Sequence, residues 1–136
     1  MTLKPHTVVI SVGDIAKAER FYADMLGFHR TIEHKYPENG LHLVFLEQGG
    51  FRIQLVQKKD SVPGPVRPDP PQNASIRGIM QIAYQVEDLD ALHAELTRKG
   101  ATFAWQPQNR PEIGVKFFFV RDPEGNLVQL VQPLAG

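Results

Sequence analysis

The sequence predicts an α+β protein made from two tandem copies of a β-α-β-β-β module. Two near-repeats indicate the duplication. Residues 53–57 read Ile-Gln-Leu-Val-Gln, and residues 128–132, which lie 75 positions later, read Val-Gln-Leu-Val-Gln. Residues 12–15 read Val-Gly-Asp-Ile and are matched, at an offset of 74, by Val-Glu-Asp-Leu at residues 86–89. Because repeats at this spacing fill a chain of 136 residues twice, we expect a single domain, residues 1–136, that contains two modules.

The first module opens with a predicted strand and a predicted helix. Residues 6–12 alternate around β-branched side chains, a pattern that is typical of a strand. Apolar residues then recur at helical spacing over residues 15–26. Asp14 is suited to cap the start of this helix, and Gly27 is suited to end it in the left-handed conformation.

Three further strands complete the first module, which covers about residues 1–60. We predict them at residues 28–33, 41–47 and 51–57. A turn-rich loop at residues 35–40 separates the first two, and a hairpin turn at residues 48–50 joins the last two.

A proline-rich segment separates the modules. Residues 58–78 contain five of the eleven prolines, so this stretch is neither a helix nor a central strand. We interpret about residues 61–77 as an extended linker. Two roles stay open for it, a passive connector or a loop that folds over a site.

The pattern then restarts over about residues 78–136. Strands are predicted at residues 79–86, 101–105, 115–121 and 127–132. Leu89, Leu92 and Leu96 form the stripe of a helix that ends at Lys99-Gly100. Residues 106–114 are predicted to be a polar loop, and residues 122–126, Asp-Pro-Glu-Gly-Asn, a tight turn.

Composition excludes several classes of function. Fifteen basic residues balance fifteen acidic ones, which argues against a nucleic-acid partner. The absence of cysteine excludes disulfides, thiolate metal sites and a cysteine nucleophile. No apolar run approaches the ~20 residues that a membrane-spanning helix needs, and the first residues do not resemble a signal peptide. We therefore expect a cytoplasmic protein with no membrane partner.

The repeated strands carry a glutamine at equivalent positions. The side chains expected to face the helices are those of Ile53, Leu55, Val128 and Leu130. Gln54 and Gln129 are then expected to lie on the side of each sheet that faces away from its helix. A buried glutamine is costly unless it is hydrogen-bonded. The pair therefore indicates either a partly polar cavity or, on the simpler interpretation, an ordinary solvated sheet face.

The motifs resemble those of the vicinal oxygen chelate superfamily, which includes glyoxalase I, bleomycin-resistance proteins and extradiol dioxygenases. The resemblance covers nearly the whole chain and rests on residues 12–15, Phe21-Tyr22, residues 26–28 and the turn at residues 122–126. It implies paired modules whose eight strands form a curved, cup-shaped mixed sheet with the helices outside. It also implies a ligand site inside the cup and a homodimer.

Metal-dependent members of that superfamily take ligands from four strand positions, and the resemblance carries these over to Thr7, Gln54, Gln81 and Gln129. Their oxygen donors are all neutral, whereas a divalent ion prefers imidazole, thiolate or carboxylate. We therefore expect no metal and no other cofactor. His6 precedes Thr7, and strand alternation sends it to the opposite face unless a β-bulge turns it inward.

The neutral donors favour a small organic ligand, because glutamine supplies both a donor and an acceptor. Further candidate ligand-binding residues are Arg52 for an anionic group, Trp105 for stacking, and Phe118. Core or interface packing is the more common role of such a tryptophan, and a solvated surface position is the more common one for an arginine such as Arg52. Other candidate lining residues are Val9, Ser11, Phe45, Ala83 and Gln85.

We therefore predict a glyoxalase-like or bleomycin-resistance-like protein that binds a small molecule without metal. Two enzyme alternatives stay open. One is a divalent-metal-dependent lyase, isomerase or dioxygenase of the same superfamily. The other is a metal-free enzyme that uses Glu47, or a water held by the glutamines, as its base. His42 is expected to face away from Glu47, so the two form no evident acid–base pair.

Overall fold

Each half of the chain folds into a four-stranded mixed sheet with one helix packed on it, as the computed structural model of the protein shows for residues 1–135. The chain divides into two compact units. Unit 1 is Met1–Gly64, and unit 2 begins at Pro65, inside the segment predicted as a linker. The predicted α+β class and the repeated β-α-β-β-β order are confirmed.

Unit 1 has the strand order β1-β4-β3-β2. β1 pairs with β4 in parallel, and the other pairs are antiparallel. Its elements are β1 (Val8–Ser11), α1 (Ile15–Leu26), β2 (His29–Tyr36), β3 (Leu41–Gln48) and β4 (Phe51–Lys58).

Unit 2 repeats the arrangement with the order β5-β8-β7-β6, in which β5 and β8 are parallel. Its elements are β5 (Ile82–Gln85), α2 (Leu89–Arg98), β6 (Phe103–Arg110), β7 (Val115–Arg121) and β8 (Leu127–Pro133). Neither helix of the described chain is long and apolar enough to cross a bilayer.

The helix-facing side of each sheet carries the core. Ile53 and Leu55 of β4 and Val128 and Leu130 of β8 are all essentially fully buried, which confirms their predicted orientation. Tyr22 of α1 is also fully buried and contacts Phe21 and Phe28 edge to face. Burying each such side chain stabilises the fold by roughly 1.5–3 kcal/mol, so this face is the main source of stability.

Both helices are capped in the same two ways. The carboxylates of Asp14, as predicted, and of Asp88 accept hydrogen bonds from backbone N–H groups in the first helical turn. In addition, Gln57 Oε1 accepts from the Ile15 N–H and Gln132 Oε1 from the Leu89 N–H, each at 2.7 Å. The second glutamine of each repeat therefore satisfies a helix N–H that would otherwise lack a partner.

One predicted loop proved to be a strand. β6 runs to Arg110, whereas the sequence predicted that a strand ends at Trp105 and a loop follows. The prediction ended the strand too early because Pro107 was interpreted as part of a loop. Pro107 lies on the edge strand β6, where the register with β7 shifts between Trp105 and Gln108. Proline is tolerated at such an irregular edge position because no neighbouring strand needs its missing N–H.

The second part of the proline-rich segment is folded onto unit 2. Arg121 of β7 donates to the Arg67 carbonyl oxygen (2.9 Å) and to the Asp69 carboxylate (2.5 Å). Arg67 in turn donates to the carbonyl oxygens of Asn73 (2.8 Å) and Ile79 (3.0 Å). We name residues 67–79 the strap. The interpretation of this part as a passive connector is therefore not supported.

Candidate functional site

In each unit the sheet face opposite the helix carries most of the candidate site residues. We name these surfaces the Gln54 face of unit 1 and the Gln129 face of unit 2. Directly paired residues of neighbouring strands share a face. Gln54 is thus flanked by Val9 and Phe45. Gln129 is flanked by Ala83 and Phe119.

On the Gln54 face, the groups predicted to bind a ligand contact the protein itself. The Thr7 hydroxyl donates to the carbonyl oxygen of Arg52 at 3.2 Å. The Arg52 guanidinium pairs with the Glu47 carboxylate at 2.8 Å and lies over the Phe45 ring, 5.7 Å from its centroid. Because Glu47 already balances the charge of Arg52, an anionic ligand would have to displace a carboxylate that is in place.

The same ion pair bears on Glu47 as a candidate base. Its carboxylate accepts from Arg52 Nε at 2.9 Å as well as facing Nη2. These two contacts hold the carboxylate in place. Abstraction of a substrate proton by Glu47 would require this pair to open.

His6 and His42 of unit 1 lie away from these groups, whereas His29 of β2 is paired directly with Glu47. His6 is exposed and precedes β1, whose register with β4 runs without a bulge. His42 pairs across the sheet with Gln57, so it faces away from Glu47, as the alternation predicted. His42 Nε2 instead lies 2.7 Å from a Glu33 oxygen, and this hydrogen bond is the main cause that lowers the pKa of Glu33.

On the Gln129 face, two of the predicted residues meet. Gln81 Nε2 donates to Gln129 Oε1 at 3.3 Å. Asn73 of the strap donates from Nδ2 to Gln81 Oε1, also at 3.3 Å. We name these three side chains the amide relay. Asn73 was not predicted, because a hydrogen bond between the proline-rich segment and a strand leaves no periodic signal in the sequence.

An aromatic cluster lies beside the relay. Trp105 of β6 stacks on Phe119, with ring centroids 6.3 Å apart, and contacts Phe117 edge to face at 5.7 Å. Phe119 is paired with both Gln129 and Trp105, so the three residues form one row across β8, β7 and β6. Arg110 lies over the Trp105 ring, 5.6 Å from its centroid. The row places amide, aromatic and cationic groups side by side.

The expectation that Phe118 belongs to this face is wrong. β7 pairs Phe118 with Leu130, so its side chain points to the helix, where it is fully buried against His93 and Phe103. Phe117 and Phe119 lie on the Gln129 face instead. Three consecutive phenylalanines show no alternation of polarity, so only the pairing of β7 with β8 reveals which of them share a face.

The four positions that the resemblance assigns to metal ligands do not fit a divalent ion. Gln81 donates a hydrogen bond to Gln129 within the amide relay. The Thr7 hydroxyl donates to the backbone carbonyl oxygen of Arg52. Over residues 1–135, no group of three or more His, Asp or Glu side chains is arranged to hold a metal. Neutral oxygens offer no charge to offset the dehydration of a dication.

The chain matches known proteins over most of its length. Residues 4–130 match the model of the Glyoxalase/Bleomycin resistance protein/Dioxygenase superfamily. The chain is 26% identical over 125 residues to the uncharacterized protein YraH of Bacillus subtilis, covering 90% of this chain and 93% of that protein. It is 28% identical over 127 residues to a probable lactoylglutathione lyase of Synechocystis sp., covering 93% and 92%.

A solved structure shares the fold. The crystal structure of a glyoxalase family protein from Enterococcus faecalis aligns with a TM-score of 0.75 and 24% identity, over 94% of this chain and 96% of that one. The family model covers almost the whole chain, and the repeated β-α-β-β-β units agree with it. The chain therefore belongs to the glyoxalase/bleomycin resistance protein/dioxygenase superfamily.

Proposed function

We propose that the protein binds a small organic molecule, neutral or amphipathic, without a metal ion. The observation that carries this proposal is the row on the Gln129 face, in which the Gln81–Gln129 amide pair lies beside Phe119 and Trp105. Small-molecule sites typically combine a mainly apolar lining with a few fixed polar groups. This row offers both within one sheet.

The chemistry of the row indicates how such a ligand is held. Aromatic rings contribute stacking surface, and an amide supplies both a donor and an acceptor. Gln54, which lies between Val9 and Phe45, provides a similar but less aromatic surface in unit 1. We propose that the ligand is bound by hydrogen bonds and stacking, and that the reaction chemistry of metal-dependent relatives is not needed for this.

A screen of small aromatic molecules by thermal shift, with and without a chelator, tests the proposal. A ligand present at 100 times its Kd raises the free energy of unfolding by about 2.7 kcal/mol, which is readily measured as a higher melting temperature. We expect the same shift with chelator present. Stabilisation that disappears on chelation would contradict metal-free binding.

Variants locate the binding surface. Trp105→Ala and Gln129→Ala should each weaken binding of any ligand that the screen identifies, because each removes a group of the row. Gln106→Ala is the matched control, since Gln106 contacts His93 of α2 rather than the row. Equal affinities in all three variants would place the ligand elsewhere.

A second candidate function is favoured by one relative. The probable lactoylglutathione lyase of Synechocystis sp. is 28% identical over nearly the whole chain, so a lyase of this superfamily is the alternative. Elemental analysis of the purified protein distinguishes the two. About one transition-metal ion per chain, together with activity on lactoylglutathione, would support the lyase and overturn the proposed metal-free binding.

We further propose that the protein is a cytoplasmic homodimer without nucleic-acid partners. The lack of cysteine suits a reducing compartment, and the balanced charge provides no field for nucleic acid. Light scattering after size exclusion should give about twice the chain mass of 15.3 kDa. A single monomeric peak at all concentrations would contradict the dimer.

A further inference from the structure

Asn73 is a buried polar residue in a segment that is otherwise mostly exposed. Its exposed fraction is 4%, and within residues 1–135 only Asp122 is a comparably buried polar residue. The Asp122 carboxylate is explained by its turn, because it accepts from the backbone N–H groups of Glu124 and Asn126. For Asn73 the side-chain contact is the hydrogen bond to Gln81. Burial of an amide is costly without such a partner.

The strap holds Asn73 in place from the backbone side. Arg67 Nη1 donates to the Asn73 carbonyl oxygen at 2.8 Å. The Arg67 carbonyl oxygen is itself held by Arg121 at 2.9 Å. The Arg121 side chain is only 15% exposed, so this anchor is well shielded from water. The backbone at Asn73 is therefore anchored within the strap.

The amide relay has a direction. The Asn73 nitrogen donates to the Gln81 oxygen, and the Gln81 nitrogen donates to the Gln129 oxygen. The amide nitrogen of Gln129 is the last group in this series. Its two N–H groups are not used within the relay and can donate to a ligand. If the relay ran the other way, Gln129 would offer its carbonyl oxygen instead.

Charge on the same face agrees with this direction. Arg110 lies over Trp105, at the other end of the row from Gln129. Its nearest carboxylate, that of Glu112, is 3.9 Å away, so the guanidinium is only loosely paired. A ligand that carries acceptor oxygens would be attracted by both Arg110 and the Gln129 amide.

We propose that Asn73 is a positioning residue that sets the direction of the Gln81–Gln129 pair and thereby selects ligands with a hydrogen-bond acceptor. The ligand class is a planar organic molecule whose carbonyl or carboxylate oxygen accepts from Gln129 while its ring lies against the half-buried Trp105. The choice of ligand rests on the proposed function. The direction of the relay does not.

Asn73→Asp is the decisive variant, because it keeps the shape and reverses the hydrogen bonding. A carboxylate only accepts, so Gln81 must turn its nitrogen towards residue 73 and its oxygen towards Gln129. Gln129 then donates to Gln81 and leaves its own oxygen over. Gln72→Glu is the matched control, since it makes the same amide-to-carboxylate change on an exposed strap residue outside the relay.

Side-chain amide signals in ¹H–¹⁵N NMR spectra of the ¹⁵N-labelled protein test the relay without a ligand. Asn73→Asp should shift the NH₂ signals of both Gln81 and Gln129, and Gln72→Glu should shift neither. Asn73→Ala, which removes the donor, should shift the Gln81 signal and broaden the Gln129 signal. If the Gln129 signal is the same in all four proteins, Asn73 does not orient it and the inference is overturned.

Two neutral aromatic probes test the selectivity by the same spectra. Acetophenone can only accept a hydrogen bond, and indole N–H can only donate one. We expect wild type to prefer acetophenone, and Asn73→Asp to shift the ratio of the two Kd values about fivefold to tenfold towards indole, as expected for one exchanged hydrogen bond. An unchanged ratio of the two Kd values overturns the inference. If neither probe binds to any variant, the proposed function is contradicted. The relay is then tested by the amide signals alone.

Discussion

The two units share the helix-facing side of their sheets and differ on the other side. In both, an aspartate and a strand glutamine cap the helix, and the glutamine bond is 2.7 Å long in each. On the opposite faces the residues diverge. Trp105 of unit 2, which is paired with Phe119, is half-buried, whereas Ile32 of unit 1, which is paired with Phe45, is 50% exposed.

The polar groups diverge in the same way. The Gln54 face carries an ion pair, Arg52 with Glu47, while the Gln129 face carries the neutral amide relay. Duplication thus preserves the parts that make each helix and sheet stable, and the differences collect on the faces that the superfamily resemblance connects with ligands. We therefore connect function with the residues that differ between the Gln54 face and the Gln129 face.

The largest expected effect comes from the aromatic cluster. Phe119→Ala should lower the free energy of unfolding by about 4 kcal/mol, because it removes a buried ring and leaves a cavity. Phe45→Ala removes the equivalent ring of unit 1, which is only half-buried, and should cost about half as much. Urea unfolding monitored by circular dichroism measures both. Equal losses would show that the faces are packed alike.

The helix caps should behave identically in the two units. Gln57→Ala and Gln132→Ala each remove one acceptor from a helix N–H and should each cost about 1 kcal/mol. The same unfolding experiment compares them. A difference between the two variants of more than about 1 kcal/mol would break the equivalence of the capped helices, given the usual size of such bonds.

The smallest expected effect is the dependence on pH of the His42–Glu33 contact in unit 1. The hydrogen bond from His42 lowers the pKa of Glu33 below its ordinary value of 4.5. A lowered pKa in the folded state means that this contribution to stability is present above about pH 4.5 and is lost as the pH falls through the folded-state pKa. Between pH 6 and pH 3, the free energy of unfolding should therefore fall by less in Glu33→Gln than in wild type. Urea unfolding at the two pH values measures this difference.

A histidine contact in unit 2 that involves no carboxylate supplies the control. His93 lies 2.8 Å from the amide oxygen of Gln106, which does not titrate. Gln106→Ala should keep the wild-type acid dependence. A Glu33→Gln variant that follows the wild-type curve throughout would show that the His42–Glu33 contact contributes nothing.

Sequence reasoning succeeded where the signal is local. Asp14, Gly27 and the repeated strands have short-range signatures of caps and alternation, and all are found as predicted. Gly27 has φ = 76°, the left-handed conformation that it was expected to adopt. The fold class could be predicted because these local patterns occur in both halves of the chain.

Sequence reasoning failed where a long-range contact decides. The side to which Phe118 points depends on the pairing of β7 with β8, and the strand around Pro107 depends on its being an edge. Asn73 joins the site through a hydrogen bond from the strap. Gln129 was selected from the repeated strands and Gln81 through the resemblance. Their contact with each other emerged only from the structure.

The central claim, that amides replace the metal ligands of this superfamily, is tested most directly by calorimetric titration with Zn²⁺ and Ni²⁺. Chelator-treated wild type should show no saturable binding at micromolar concentrations. The double variant Gln81→His with Gln129→Glu should gain binding, because it introduces an imidazole and a carboxylate at two side chains that already touch. Binding of one ion per wild-type chain in this range would contradict the claim.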